Sequence, residues 1–337
     1  MAGIALRSIG LRVHRWLALT MGWLLIAVAL SGVALVWSGP IDRITHPARY
    51  RISGETRIAA QDYATAARQA MRPGERIAGL SMQDGSRPVI VTLQRTDGQA
   101  RMLFLDPPTG RMLAYGARDR GVVPGLRALH DALLIPGIGH VLVGMVGIAA
   151  CLSAITGLGL WAVRDRSQRR AKAKERSRAM HRRLAPWAMI PLILFAASGV
   201  ALAFPSGLAL LIGADAARSP HPVAPPLARP ALSVARVVAG ARAWPHGRLT
   251  QIDWPTERSP DWTLHFAGPT APAIKVADDS GSAIAAPARG EPIARFWAYR
   301  WHSGAGLSWI WRLFATASGL LIALLATSGL IGWARRR

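Results

Sequence analysis

The sequence predicts a membrane α-helical protein: a four-helix transmembrane bundle built from two repeats, with two α+β extracytoplasmic domains. Three observations carry that prediction. Half of the 337 residues are hydrophobic but gather in a few blocks, basic residues cluster beside those blocks, and short motifs recur at fixed spacing.

Taken in order, the blocks 16–37, 140–161, 186–204 and 308–333 are each apolar for about the 20 residues that a helix needs to cross a bilayer. None holds an Asp, Glu or Lys, and Arg312, near one end, is their single formal charge. The net charge of +23 would suit a nucleic-acid binder, but the placement of the charges points elsewhere. Between Arg164 and Arg183 ten Lys or Arg residues face two acids, Arg7, Arg12 and Arg15 precede the first block, and the chain closes on Arg335, Arg336 and Arg337. Short basic segments stay on the cytoplasmic side, so both ends and the middle loop are expected there, and no nucleic acid is expected as a partner. The resulting layout is a cytoplasmic start at 1–15, a first span at 16–37 and an outer domain at 38–129. A lead-in with the second span follows at 130–162, then a basic loop at 163–183 and a third span at 184–204. A second outer domain at 205–300, a lead-in with the fourth span at 301–333 and a tail at 334–337 complete it.

A cleaved signal peptide is the rival for the first block, since a basic start precedes an apolar run. The run is too long for that, and a near copy recurs in mid-chain. Cys151, the only cysteine, lies in the second block, where a lone thiol is ordinarily a packing residue.

The repeat is read from particular residues. His14-Arg15-Trp16-Leu17 recurs as His181-Arg182-Arg183-Leu184, and Ser31-Gly32-Val33-Ala34-Leu35 recurs at Ser198 to Leu202, with seventeen residues from His to Ser both times. His130 precedes Thr156-Gly157-Leu158 and Trp161 as His302 precedes Ser328-Gly329-Leu330 and Trp333. Within the outer domains, helical spacing over 60–71 is followed by strand patterns at 76–83, 88–94, 101–105 and 111–115. The turn Asp106-Pro107-Pro108-Thr109-Gly110 interrupts the last two. The second domain shows the same order: a helix at 231–243, strands at 249–254, 262–267 and 273–277, and the turn Asp278-Asp279-Ser280-Gly281. Pro220 to Pro230 is expected to be a spacer.

His-Arg opening a helix that ends in Ser-Gly, the Asp-Pro-x-Thr-Gly type of turn, and a second helix ending in Thr-Gly-x-x-x-Trp resemble the PepSY-associated transmembrane proteins. These include iron-regulated membrane proteins and ferric-siderophore reductases. The resemblance covers nearly the whole chain. It implies PepSY-like outer domains in the periplasm, a multi-pass location in a bacterial inner membrane, and two b haems carrying electrons outward.

The histidines supply the candidate site. His14 and His181 are equivalent in the repeat, as are His130 and His302, and two halves packed about a shared axis would bring each pair together. Haem iron takes axial ligands on opposite faces, and imidazoles from two helices of a bundle supply them without covalent attachment. No Cys-x-x-Cys-His is present, so haem b is the expected form, with His14, His181, His130 and His302 as iron ligands. Gly22, Gly32, Gly144, Gly147 and Gly199 would admit a flat macrocycle or a neighbouring helix. A single His beside an Arg at a membrane edge is ordinarily an interfacial residue; four at two equivalent positions argue for ligation. His140 is a rival outer ligand, lying as far before Gly157 as His14 lies before Ser31, although its repeat partner is Arg312. His46, His221, His246 and His265 lack metal-ligand spacing, and the tryptophans at block ends, including Trp301 beside His302, suit an aromatic belt.

No dinucleotide fingerprint, P-loop, nucleophile elbow or metalloprotease motif occurs. An electron donor would therefore bind from elsewhere: a quinol in the membrane, or a cytoplasmic flavoprotein on the basic 164–183 loop. The expected function is haem-mediated reduction of an external ferric chelate or siderophore. The alternative is a non-enzymatic, membrane-anchored PepSY module that regulates a protease or assists a transporter.

Overall fold

The computed structural model describes residues 2–82, 85–95, 97–162, 176–207, 224–244, 247–267, 273–286, 293–304 and 307–335. Most of the basic middle loop, the start of the Pro-rich spacer, and His221 and His246 lie outside them. The chain divides into a helical unit (Met1–Ser38, Val123–Ala217, Glu291–Arg337) and a sheet unit (Gly39–Val122, Arg218–Gly290).

Four long helices make the helical unit: α1 (Ala2–Val36), α5 (Gly139–Ala162), α6 (Arg176–Ala203) and α9 (Trp309–Ala334). Each contains a stretch long and apolar enough to cross a bilayer. Two shorter helices, α4 (Val122–Ala132) and α8 (Ile293–Ser303), precede α5 and α9. The expected lead-ins began only at 130 and 301, so most of both helices lies within the segments expected as outer domains. α1 packs on α5 and α9, and α6 packs on the same two, so α1 and α6 face each other across the bundle. Small residues set these contacts: a Cβ on Gly147 would meet Val200 at 2.7 Å and one on Gly319 would meet Val33 at 2.4 Å, so the backbones approach closely. α6 begins well before Pro186 and runs through both Pro186 and Pro191. A bundled helix tolerates the lost backbone donors because neighbours cover the freed groups.

The sheet unit is built from α2 (Ser38–Thr45), α3 (Ala60–Ala70), β1 (Glu75–Met82), β2 (Val89–Arg95), β3 (Ala100–Leu105) and β4 (Met112–Ala117). After the helical segments come α7 (Val234–Ala241), β5 (Leu249–Asp253), β6 (Asp261–Phe266), β7 (Ile274–Ala277) and β8 (Ala283–Ala285). Two separate outer domains were expected. Instead β1 pairs antiparallel with β5, with Leu80 opposite Ile252, and one eight-stranded sheet runs β4-β3-β2-β1-β5-β6-β7-β8. Either four-strand set alone would expose an unpaired strand edge, and joining them satisfies both rows of backbone groups. The core is shared as well. Tyr63, Ala64 and Ala67 of α3 and Val234, Val237 and Ala241 of α7 join alternate residues of both strand sets, including Val91, Leu103, Ile252 and Trp262, in one buried cluster.

Both Asp-containing turns anchor this unit. Gly110 and Gly281 hold positive φ of 68° and 74°, a conformation that glycine adopts without a Cβ penalty. Asp106 is fully buried and accepts from the Ser53 amide (2.7 Å), the Ser53 hydroxyl (2.6 Å) and the Thr109 hydroxyl (2.5 Å). Asp278 accepts from the amides of Ala231 and Leu232 and from Trp262 Nε1. Burial alone would raise the Asp106 pKa, but the Ser53 and Thr109 hydrogen bonds, with Arg111 nearby, outweigh it and hold the carboxyl below its ordinary value of 3.8. A depressed folded-state pKa stabilises the fold above the unfolded value, and that stability is lost as pH falls through the folded one. Asp106→Asn should therefore flatten the acid limb of the sheet unit's stability below about pH 4. Denaturant titrations at stepped pH measure it, and an unchanged slope would refute it.

Candidate functional site: two histidine pairs

The helical unit brings four of the five nominated histidines together in two pairs. His14, on α1, stands beside His181, on the diagonally opposite α6, with ring centres 6.3 Å apart. His130, on α4, stands beside His302, on α8, at 5.8 Å. An imidazole nitrogen binds a first-row metal at about 2.0–2.1 Å, with its ring centre about 1.1 Å behind, so two imidazoles on opposite sides of one ion have centres roughly 6 Å apart. Both pairs have that spacing before any ion is considered. His140 is not in either pair: it lies exposed at the start of α5.

Each ring is tied to a helix other than its own. His14 Nδ1 lies 3.0 Å from the Ser153 carbonyl and 3.3 Å from the Thr156 hydroxyl. His181 Nδ1 lies 2.9 Å from the Leu325 carbonyl and 3.3 Å from the Ser328 hydroxyl. For His130 the partners are the Val28 carbonyl at 2.8 Å and the Ser31 hydroxyl at 3.4 Å. His302 Nδ1 lies 3.0 Å from the Ser198 hydroxyl, with the Phe195 carbonyl also bonded. The residue after each hydroxyl is a glycine against the imidazole: Gly157, Gly329, Gly32 and Gly199. Sequence reasoning used these Ser/Thr-Gly pairs as repeat markers and missed their contact with the rings; their constant spacing from the histidines was the available signal.

A model of the family described as "PepSY-associated TM region" matches residues 11–336. The chain belongs to that family. It is a membrane protein with four apolar helices and an antiparallel sheet unit. No curated protein matches it.

In this PepSY-associated chain an apolar, partly open cavity of about 250 Å³ adjoins His14 and is lined by all four long helices. Small residues such as Ala18, Gly22, Ala150 and Ala154 line it with Met21 and Met189. That volume is just below the usual range of small-molecule and cofactor sites, and its walls are almost wholly apolar. The glycines nominated from sequence divide by role. Gly32 and Gly199 admit imidazoles, Gly144 and Gly147 admit Phe204 and Val200, and Gly22 faces Leu330 beside the cavity.

Burial pushes the His302 imidazole down to about 4, with His130 adding to the effect, so it stays neutral at ordinary pH. Neutral imidazole is the form that binds metal. Beside it Phe195 stacks edge-on at 6.0 Å and also meets Trp311 and Phe314. The ring near His302 is thus Phe195; Trp301 is half-exposed, and its carbonyl accepts from Trp311 Nε1 at 3.1 Å. Trp16, Trp161 and Trp187 are exposed near the ends of the apolar blocks 16–37, 140–161 and 186–204, as belt residues are. His46 pairs with Asp42 and His265 with Asp253, both within the sheet unit, and no cluster of three or more metal-ligating side chains occurs among the described residues. Cys151 is a free, partly buried thiol.

Proposed function

We propose that this PepSY-associated protein binds two b haems, one between His14 and His181 and one between His130 and His302, and conducts electrons across a bacterial inner membrane to a periplasmic ferric chelate. The observation that carries the reading is the pair of imidazole pairs, each drawn from different helices with ring centres 6.3 and 5.8 Å apart, a separation at which two imidazoles would hold one iron. The donor set, the glycines that admit the rings and the apolar cavity beside His14 all suit the group. Bound there, haem iron supplies reversible one-electron transfer.

The chain's own residues do the rest. His14 on α1 and the seat for His130 at Ser31 on the same helix are seventeen residues apart, about 25 Å of helix, so the pairs belong near opposite membrane faces. Arg12, Arg15, Arg182 and Arg183 flank the His14/His181 end. The positive-inside rule puts that end and both termini in the cytoplasm and segments 38–129 and 205–300 in the periplasm. The donor is a quinol, giving two electrons and two protons, or a cytoplasmic flavoprotein held by the basic 164–183 loop. Each electron converts one chelated ferric ion to ferrous, which hard oxygen ligands hold more weakly.

The test uses the full chain purified from haem-supplied cells. The protein should be red, with the reduced-minus-oxidised α band of low-spin b haem. In sealed vesicles with reductant inside, a ferric chelate outside should yield ferrous iron captured by a ferrous-specific dye. Colourless protein would leave the second reading, a membrane anchor for a regulatory PepSY sheet unit.

A further inference from the structure

We infer that the four hydroxyl–glycine pairs, Ser31-Gly32, Thr156-Gly157, Ser198-Gly199 and Ser328-Gly329, are seats that fix the tautomer and the approach of the four ligating imidazoles. This rests on the haem reading and deepens it by naming the positioning residues.

The tautomer follows from the acceptors. A backbone carbonyl can only accept a hydrogen bond, so an Nδ1 within 2.8–3.0 Å of Val28, Ser153 or Leu325 oxygen must carry the proton. The hydroxyls do not compete as donors, because their protons are committed one turn back in their own helices. Ser31 donates to the Ala27 carbonyl at 2.8 Å, Thr156 to Leu152 at 2.8 Å, Ser198 to Leu194 at 2.7 Å and Ser328 to Leu325 at 2.8 Å. With Nδ1 protonated in all four rings, the lone pair is on Nε2, the nitrogen a metal would take. A carbonyl or hydroxyl on Nδ1–H also makes Nε2 a more basic ligand, which favours ferric over ferrous iron.

The glycines set the approach. A Cβ on Gly32 would stand 2.9 Å from His130 Cε1, one on Gly199 3.2 Å from His302 Cε1, one on Gly329 3.2 Å from His181 Cε1 and one on Gly157 3.4 Å from His14 Cε1. Cε1 lies between the two ring nitrogens, so pushing it breaks the Nδ1 bond and turns Nε2 together. Every seat is on a different helix from its histidine: α5 seats His14, α1 seats His130, α9 seats His181 and α6 seats His302. Ring orientation is therefore set by how helices pack, which a histidine's own rotamer alone would leave free.

Two graded series test this on the haem-loaded full chain, read by haem dissociation and by midpoint potential. The Ser198 hydroxyl stands 3.0 Å from His302 Nδ1, whereas at the other seats the carbonyl is closer than the hydroxyl. Ser198→Ala should thus weaken haem retention by roughly tenfold, the lower end of what lost outer hydrogen bonds cost, and raise one midpoint potential. Ser31→Ala should do less, and Ser198→Thr should restore both readouts. In the glycine series, Gly32→Ala should lose most haem and Gly157→Ala least. A red wild type whose Ser198→Ala and Gly32→Ala variants keep haem and both potentials unchanged overturns the seats alone. A colourless wild type overturns the haem reading and, with it, the seats' ligand role. A ¹⁵N spectrum of histidine-labelled protein adds a readout that needs no haem: four rings protonated at Nδ1 support the seats, and Nε2-protonated rings at these positions overturn them.

Discussion

Alanine at both His130 and His302 should yield a protein that retains the haem at the His14/His181 end and loses the other, halving the haem per chain. The effect is large because, among the described residues, no cluster of three or more metal-ligating side chains holds a spare ligand beside the pair. Besides His130, the ring against His302 is Phe195, which offers no ligand. The complementary double variant at His14 and His181 should lose the other haem. His140→Ala should leave the spectrum as it was, since that side chain is exposed at the α5 start and belongs to neither pair. Pyridine haemochrome content per chain measures all three. If the His130 and His302 variant kept both haems, the assignment of that pair as ligands would be lost.

Trp262→Ala should cost the sheet unit about 3–5 kcal/mol, the usual range for emptying a large aromatic site. Trp262 is fully buried, packs against Trp254 with ring centres 4.8 Å apart, and donates Nε1–H to Asp278 at 2.7 Å. The truncation therefore opens a void and takes one of three donors from a buried carboxylate, whose remaining partners are the Ala231 and Leu232 amides. Because the core joins both strand sets, the loss should reach β1 to β4 as well as β5 to β8. Ile284→Ala, at an exposed position on β8, should stay within about 0.5 kcal/mol. Urea titration of the full chain in detergent, followed by near-UV circular dichroism, compares the two. Equal midpoints would refute the packing argument.

Much of the fold was readable along the chain. Apolar length located the four long helices, and the expected strands at 76–83, 88–94 and 101–105 appear as Glu75–Met82, Val89–Arg95 and Ala100–Leu105. Strand β8 went unnoticed because three residues, Ala283 to Ala285, are too few to show alternation. α4 was missed as a helix because Pro124 and Gly125 lie in its first turn, where a proline is tolerated but reads as a break. α6 reaches back to Arg176, ahead of the expected 184–204 span, since a helix can continue past its apolar stretch into basic residues. Of the candidate site, the four histidines were legible from spacing alone, whereas their hydroxyl and carbonyl partners were not.

The amino-acid order alone determined that this protein has four membrane-length helices, that basic residues crowd one set of helix ends, and which histidines occupy matching positions. Those are local properties: apolar length, charge and spacing are carried by the chain whatever it packs against. Only the tertiary structure decided that α1 faces α6, that His130 and not His140 stands beside His302, that Ser-Gly pairs receive the rings, and that β1 joins β5 in one sheet. Each of these is a meeting of segments far apart in sequence. Such meetings are settled by which small residues let two backbones close in and which unpaired strand edges need a partner, and neither is visible until the chain has folded.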